Sequence, residues 1–210
     1  MLMEDPILVC ESDLPRLLRR AKGWISNIYL HWTGGHYGQV YDDYHFCIDR
    51  DGQVYATGRD LRELKSHTWH RNCGAIGIAL CCGYDAACQL PRSCEGYRAK
   101  TAYEDPEDAR PDSAGINLGP EPPTPVQIEV MAKLVALICM GLGLAITPIT
   151  VATHCEVAFR DGYGPGDGDP DMRWDLWFLP DDANGGRLAQ GGWLLRGKAA
   201  YYRQEAEEND

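Results

Sequence analysis

Apolar positions along the chain fall into short strand-like runs and one long helical stripe. Asp13 to Ala21 reads as a short helix, with Pro15 near its start and Arg19, Arg20 and Lys22 at its end, where the helix dipole favours cations. Trp24 to His31 reads as a strand with a buried run at Ile25, Ile28, Tyr29 and Leu30. Tyr44 to Ile48, the turn Arg50-Asp51-Gly52 and Gln53 to Tyr55 read as a hairpin. Ala75 to Cys82, bounded by Gly74 and Gly83, predicts an interior strand. Thr124-Pro125-Val126-Gln127 has the form of a capping box with proline at the first helical position. Ile128, Met131, Leu134, Val135 and Ile138 then keep the spacing of a core-facing stripe up to Gly141-Leu142-Gly143. Ile149 to Thr153 predicts a short strand ending at His154, followed by a Gly/Asp-rich loop from Asp161 to Asp171. Gly192 to Glu207 predicts a final helix. This order of elements predicts an α/β fold, a mixed central sheet flanked by helices rather than a sandwich or bundle.

Length and composition bound the organisation. The 210 residues suit one domain, with a core of about 25–180, a loop insertion at 84–123 and a C-terminal extension at 181–210. The insertion is rich in Pro, Asp, Glu and Gly; it is either a solvated loop or a wall of a binding groove. Twenty Lys plus Arg against 31 Asp plus Glu leave a net charge of −11, which argues against nucleic-acid binding. The apolar run from Leu134 to Ile146 contains two glycines and is too short to span a bilayer. Acidic Glu4 and Asp5 stand where a signal peptide needs positive charge, so no membrane span and no export signal are expected. Nine cysteines without a CxxC pair read as mainly buried thiols, with Cys88 and Cys94 able to bridge in an oxidising compartment.

Candidate chemistry gathers at strand ends. His31 and His154 each close a β-rich segment before a loop, where a rigid sheet can present a side chain to an opening. Asp169 follows His154 by 15 residues, across a loop containing Gly162, Gly164, Gly166 and Gly168. Two imidazoles and a carboxylate are the ligand set of a catalytic zinc site, which keeps a fourth position for water. No HExxH is present, and ordinary polar residues at strand ends would give the same pattern. Cys155 beside His154 raises a cysteine nucleophile, but neighbours on an extended strand diverge. Glu156 would share the His154 face of such a strand and could orient a ligand.

Ile28-Tyr29-Leu30-His31-Trp32-Thr33, Tyr44 to Gly52, His67 with Asn72 to Ile78, Thr153-His154, and Asp169-Pro170 with Trp174-Asp175 occur in one order. Together they resemble the type 2 N-acetylmuramoyl-L-alanine amidases, a family that includes phage lysozyme-amidases and peptidoglycan recognition proteins. The resemblance spans roughly residues 25 to 180. It implies a zinc-dependent amide hydrolase acting on peptidoglycan or muropeptides, with Zn2+ held by His31, His154 and Asp169, and with Asp175 a structural residue. It further implies that Tyr44 assists the attacking water or the oxyanion, and that His67 lies near the substrate groove. His45 is expected to be a packed structural histidine. Some members carry a catalytic Glu where Ala79 stands here, and others a Lys where Asp167 stands. His67 or Arg173 is the expected replacement donor. A non-catalytic peptidoglycan-binding module is the alternative. With no export signal expected, three routes to the wall remain: a phage endolysin released through a lysis pore, an injected antibacterial effector with an immunity partner, for instance by type VI secretion, or a cytoplasmic recycling enzyme.

Overall fold

The computed structural model describes residues 1–89, 115–164 and 173–209. Its centre is a six-stranded sheet built from β1 (Ile7–Leu8), β2 (Asn27–Trp32), β3 (Phe46–Ile48), β4 (Val54–Ala56), β5 (Ala75–Leu80) and β8 (Val151–Thr153). The spatial order is β1-β4-β3-β5-β2-β8. The β1, β4 and β3 pairs are antiparallel, whereas β3–β5, β5–β2 and β2–β8 are parallel. The mixed α/β sheet anticipated from the element order is therefore present. A hairpin of β6 (Ala87–Gln89) and β7 (Gly115–Asn117) lies within the expected insertion, and β9 (Phe178–Asp181) pairs with β10 (Arg187–Gln190).

The period of two along each strand divides the sheet into chemically different faces. Ile28, Leu30 and Trp32 of β2, Phe46 and Ile48 of β3, Ile76, Ile78 and Leu80 of β5, and Val151 of β8 all join one continuous core. Helices α1 (Leu14–Ala21) and α2 (Pro125–Leu142) add to that core through Leu14, Leu17, Leu18, Ile128, Met131, Val135 and Ile138. The opposite face carries Tyr29, His31, Cys47, Ala75, Gly77, Ala79 and Ala152, which are small or polar except for the tyrosine. Shape explains the division: branched aliphatics fill one side, and small residues leave room for chemistry on the other.

Helix α2 begins as its sequence predicts. Thr124 Oγ1 accepts the Gln127 N–H at 3.1 Å, and Gln127 Oε1 accepts the Thr124 N–H at 2.9 Å. The buried Gln127 amide also donates to the carbonyls of Ile48 and Cys81 at 3.0 and 3.2 Å, so one side chain caps the helix and ties it to two strands. Gly143 (φ 74°) closes the helix in the left-handed region. Although α2 is apolar enough to cross a membrane by composition, ten of its residues are buried in the protein. The C-terminal helix α4 (Gly191–Asn209) packs against α2.

One local expectation is corrected. The chain does not continue extended through His154: helix α3 (His154–Asp161) starts there. Thr153 is its N-cap and Glu156 closes the capping box, with Thr153 N–H donating to Glu156 Oε2 at 2.9 Å. Glu156 is therefore not turned toward a ligand imidazole. It forms a two-pronged pair with Arg196 of α4 at 2.7 and 2.8 Å.

Candidate active site

Three distant segments deliver the central groups. His31 stands on β2, on the small-residue face, 1% exposed and in register with Ala79 of β5. The Ala79 methyl is thus the group beside it, at the position where some relatives were expected to carry a glutamate. His154 is the first residue of α3, placed by the cap at Thr153. Asp175 arrives from the segment before β9. Its neighbour Trp174 packs edge-on against Trp32 with ring centroids 4.7 Å apart. On its other side Leu176 is fully buried in the left-handed conformation at φ 56°, a strained backbone for a branched residue that the surrounding packing imposes.

Asp175 Oδ2 lies 3.1 Å from His31 Nδ1, and Oδ1 lies 3.1 Å from His154 Nδ1. One ligand atom from each of the three residues falls within 4.8 Å of the others. A tetrahedral zinc with bonds of about 2.0–2.1 Å sets its donors about 3.3 Å apart, so this spacing suits a shared divalent ion. Oδ1 of Asp175 is buried and, among the described residues, faces only the His154 ring, so both carboxylate oxygens are turned into the cluster. The donor set and its spacing fit a metal.

Charge in the cluster is unevenly held. Burial alone would raise the Asp175 carboxyl, but the two histidines outweigh it and hold that group far below the usual carboxylate range. Burial lowers His31 below its ordinary value. It acts the same way on His154, where the Asp175 charge prevails and the net shift is upward. Neutral imidazole is the metal-binding form, and Asp175 is positioned to keep both rings turned inward.

A second layer surrounds these residues. The Tyr44 ring is 5.2 Å from that of His31, and its hydroxyl donates to the Trp32 carbonyl at 3.3 Å. Burial, with Asp175 nearby, raises this phenol far above its ordinary value, which favours its protonated form. His67 lies 5.4 Å from His31, ring to ring. Its Nδ1 meets Thr68 Oγ1 at 2.9 Å, and its buried Nε2 has no hydrogen-bond partner among the described residues. An orphaned buried polar atom costs about 1–3 kcal/mol and points to use in function. Burial pushes His67 well below the ordinary histidine value. Gly77 makes room for it, since a Cβ there would stand 2.6 Å from the His67 ring. His45 is a packed structural residue: it accepts from the Gly77 N–H at 3.0 Å and donates to the Glu63 carbonyl at 2.9 Å. Arg173 lies over the Tyr163 ring at 5.0 Å, and that ring is 6.4 Å from His154.

Of the residues singled out in the sequence, His31, His154, Tyr44 and His67 are thus brought together. Arg173 stands at the margin through Tyr163. Asp169 and Asp167 lie outside the described residues, as does Cys94. Asp175, read as structural, occupies the cluster itself. Nothing in its spacing marks it for the cluster; in the fold its neighbours Trp174 and Leu176 are both packed into the core. Thr68 and Tyr163 also escaped sequence reading, because a hydroxyl in a loop carries no periodic signal. Cys155 is fully buried, and burial raises its thiol well above the ordinary value, which removes it as a nucleophile.

Among curated proteins none matches. A solved structure described as PGRP-Hd from Alvinella pompejana is 16% identical, covering 76% of this chain and 87% of its own, with a TM-score of 0.33. The family described as N-acetylmuramoyl-L-alanine amidase matches residues 21–170, a stretch that includes β2 to β5, α2, His31, Tyr44, His67 and His154. By that match, the chain belongs to the Amidase_2 family of N-acetylmuramoyl-L-alanine amidases.

Proposed function

We propose that this protein is a zinc-dependent amidase that hydrolyses the bond between the lactyl group of N-acetylmuramic acid and L-alanine in peptidoglycan. The observation that carries the reading is the convergence of His31, His154 and Asp175 on one buried point, with one carboxylate oxygen turned to each imidazole. A zinc ion bound there would polarise the scissile carbonyl and lower the pKa of its water to about 7. Asp175 holds the imidazoles in register. Tyr44, protonated throughout the working range, donates to charge developing on the carbonyl oxygen. Arg173 adds positive charge at the rim in place of the lysine found in other members. Asp169, which family resemblance implies as third ligand, and Asp175 are separated by their Asn variants.

The competing reading is a peptidoglycan-binding protein without turnover. Mass spectrometry of digested cell wall decides between them: free lactyl-muramic ends with released L-alanyl peptides, lost on chelation and restored by zinc, support the amidase. Tight muropeptide binding with no product defeats it. We further propose that the enzyme meets the wall as a phage endolysin or as an injected antibacterial effector with a cognate immunity protein. The run from Asp161 to Gly166, taken with Arg173 to Trp177, resembles amidases of those kinds.

A further inference from the structure

The Thr68 hydroxyl stands between two imidazoles, 3.2 Å from His31 Nε2 and 2.9 Å from His67 Nδ1. All three side chains are buried. A hydroxyl owns a single proton, so the pair of bonds can run in only one of two directions at a time. Neighbouring groups do not interfere. The Thr68 and His67 N–H groups both donate to Asn72 Oδ1, at 2.7 and 3.2 Å, which fixes the loop. His45, the other imidazole against His67, has both ring nitrogens engaged by backbone.

Asp175 sets the direction while the metal is absent. Its Oδ2 lies 3.1 Å from His31 Nδ1 and calls for a proton on that nitrogen. His31 Nε2 is then bare and accepts the Thr68 O–H. The Thr68 oxygen accepts Nδ1–H of His67, and His67 Nε2 is left as a lone pair. A metal held by His31 Nδ1 would reverse every bond. The His31 proton then resides on Nε2 and is donated to Thr68, whose own O–H is donated to His67 Nδ1. The His67 proton moves to Nε2.

We propose that the His31–Thr68–His67 chain is a tautomer relay that makes His67 Nε2 a hydrogen-bond donor only when the metal centre is loaded. This rests on the reading of His31 as a metal ligand. Protons balance: one leaves His31 Nδ1 for solvent and one is taken up at His67 Nε2. The two protons within the chain each cross one hydrogen bond toward His31, and neither ring changes its net charge. Thr68 is accordingly a positioning residue, and the buried Nε2, which has no partner among the described residues, is the terminus the relay serves.

Nitrogen NMR of the full chain, labelled at histidine, reads the tautomers directly with and without zinc. The expected result is His67 as Nδ1–H in the metal-free protein and as Nε2–H once zinc is bound. Thr68→Val should uncouple the two, leaving the His67 tautomer indifferent to zinc and weakening zinc binding about ten-fold or more. Thr68→Ser should restore both. The same His67 tautomer in wild-type protein before and after loading overturns the relay, and this measurement needs no variant to fold. If zinc leaves the His31 and His154 resonances unmoved, the metal reading fails and takes the relay with it. If those two shift while His67 does not, the relay alone is wrong.

Discussion

Asp175 and His31 meet at 3.1 Å although 144 residues separate them in the chain, and the same carboxylate reaches His154 at the same distance. One carboxylate thus spans both imidazoles, and its loss should scatter them. Asp175→Asn should lower zinc affinity by about 10–100-fold, the range for groups that orient or complete a metal site, as read by competition with a chelator. An unchanged affinity would show that Asp175 neither binds the metal nor aligns its ligands.

Tyr44 touches the cluster without belonging to it. Tyr44→Phe should keep full zinc content while reducing kcat by about 10²–10³-fold, the usual loss for one oxyanion donor. Should the variant lose zinc instead, the hydroxyl has a structural duty through its bond to the Trp32 carbonyl.

The Gly77 site tests whether the small-residue face exists to house His67. Gly77→Ala places a carbon 2.6 Å from the imidazole, and overpacking of this kind costs about 1–3 kcal/mol. Chemical denaturation should show that loss, accompanied by displaced His67 resonances. An alanine tolerated without either effect would mean that the ring moves freely.

Arg196 and Glu156 join α4 to the start of α3 through a mostly buried pair. Arg196→Met leaves Glu156 unpaired beside the helix that presents His154, and should cost about 3 kcal/mol or more. The double variant with Glu156→Gln should recover part of it. A double-mutant cycle with no coupling would assign the pair no role.

Glu121 ties two loops together by accepting from the ring of His36 at 2.8 Å and from the Tyr37 N–H at 2.5 Å. The His36 bond, followed by the Tyr37 N–H, holds its carboxyl below the ordinary glutamate value. A carboxyl depressed in the folded state stabilises above its unfolded pKa of about 4.3 and loses that contribution as pH falls through the folded value. Glu121→Gln should therefore melt lower than wild type at pH 6, with the gap closing as the pH drops below about 4. A gap that stays constant with pH would assign the effect to shape rather than charge.

The capping box at Thr124, the apolar stripe of α2, the strands around His31 and Ala75, and the order of the family motifs were all legible in the chain, because each depends on neighbours within a few residues. So were His31 and His154 as candidates, and the fold brings the two together. The helix beginning at His154 was not, since Thr153 and Glu156 form a capping box inside what reads as the end of a strand. Nor was the place of Asp175, which Trp174 wins by packing on Trp32 from 142 residues away, or the hydroxyl of Thr68 between two rings. Sequence periodicity specifies elements and their buried faces. Which carboxylate, hydroxyl and imidazole share a few ångströms depends on how strands order themselves in the sheet, a contest of non-local packing that local pattern does not encode.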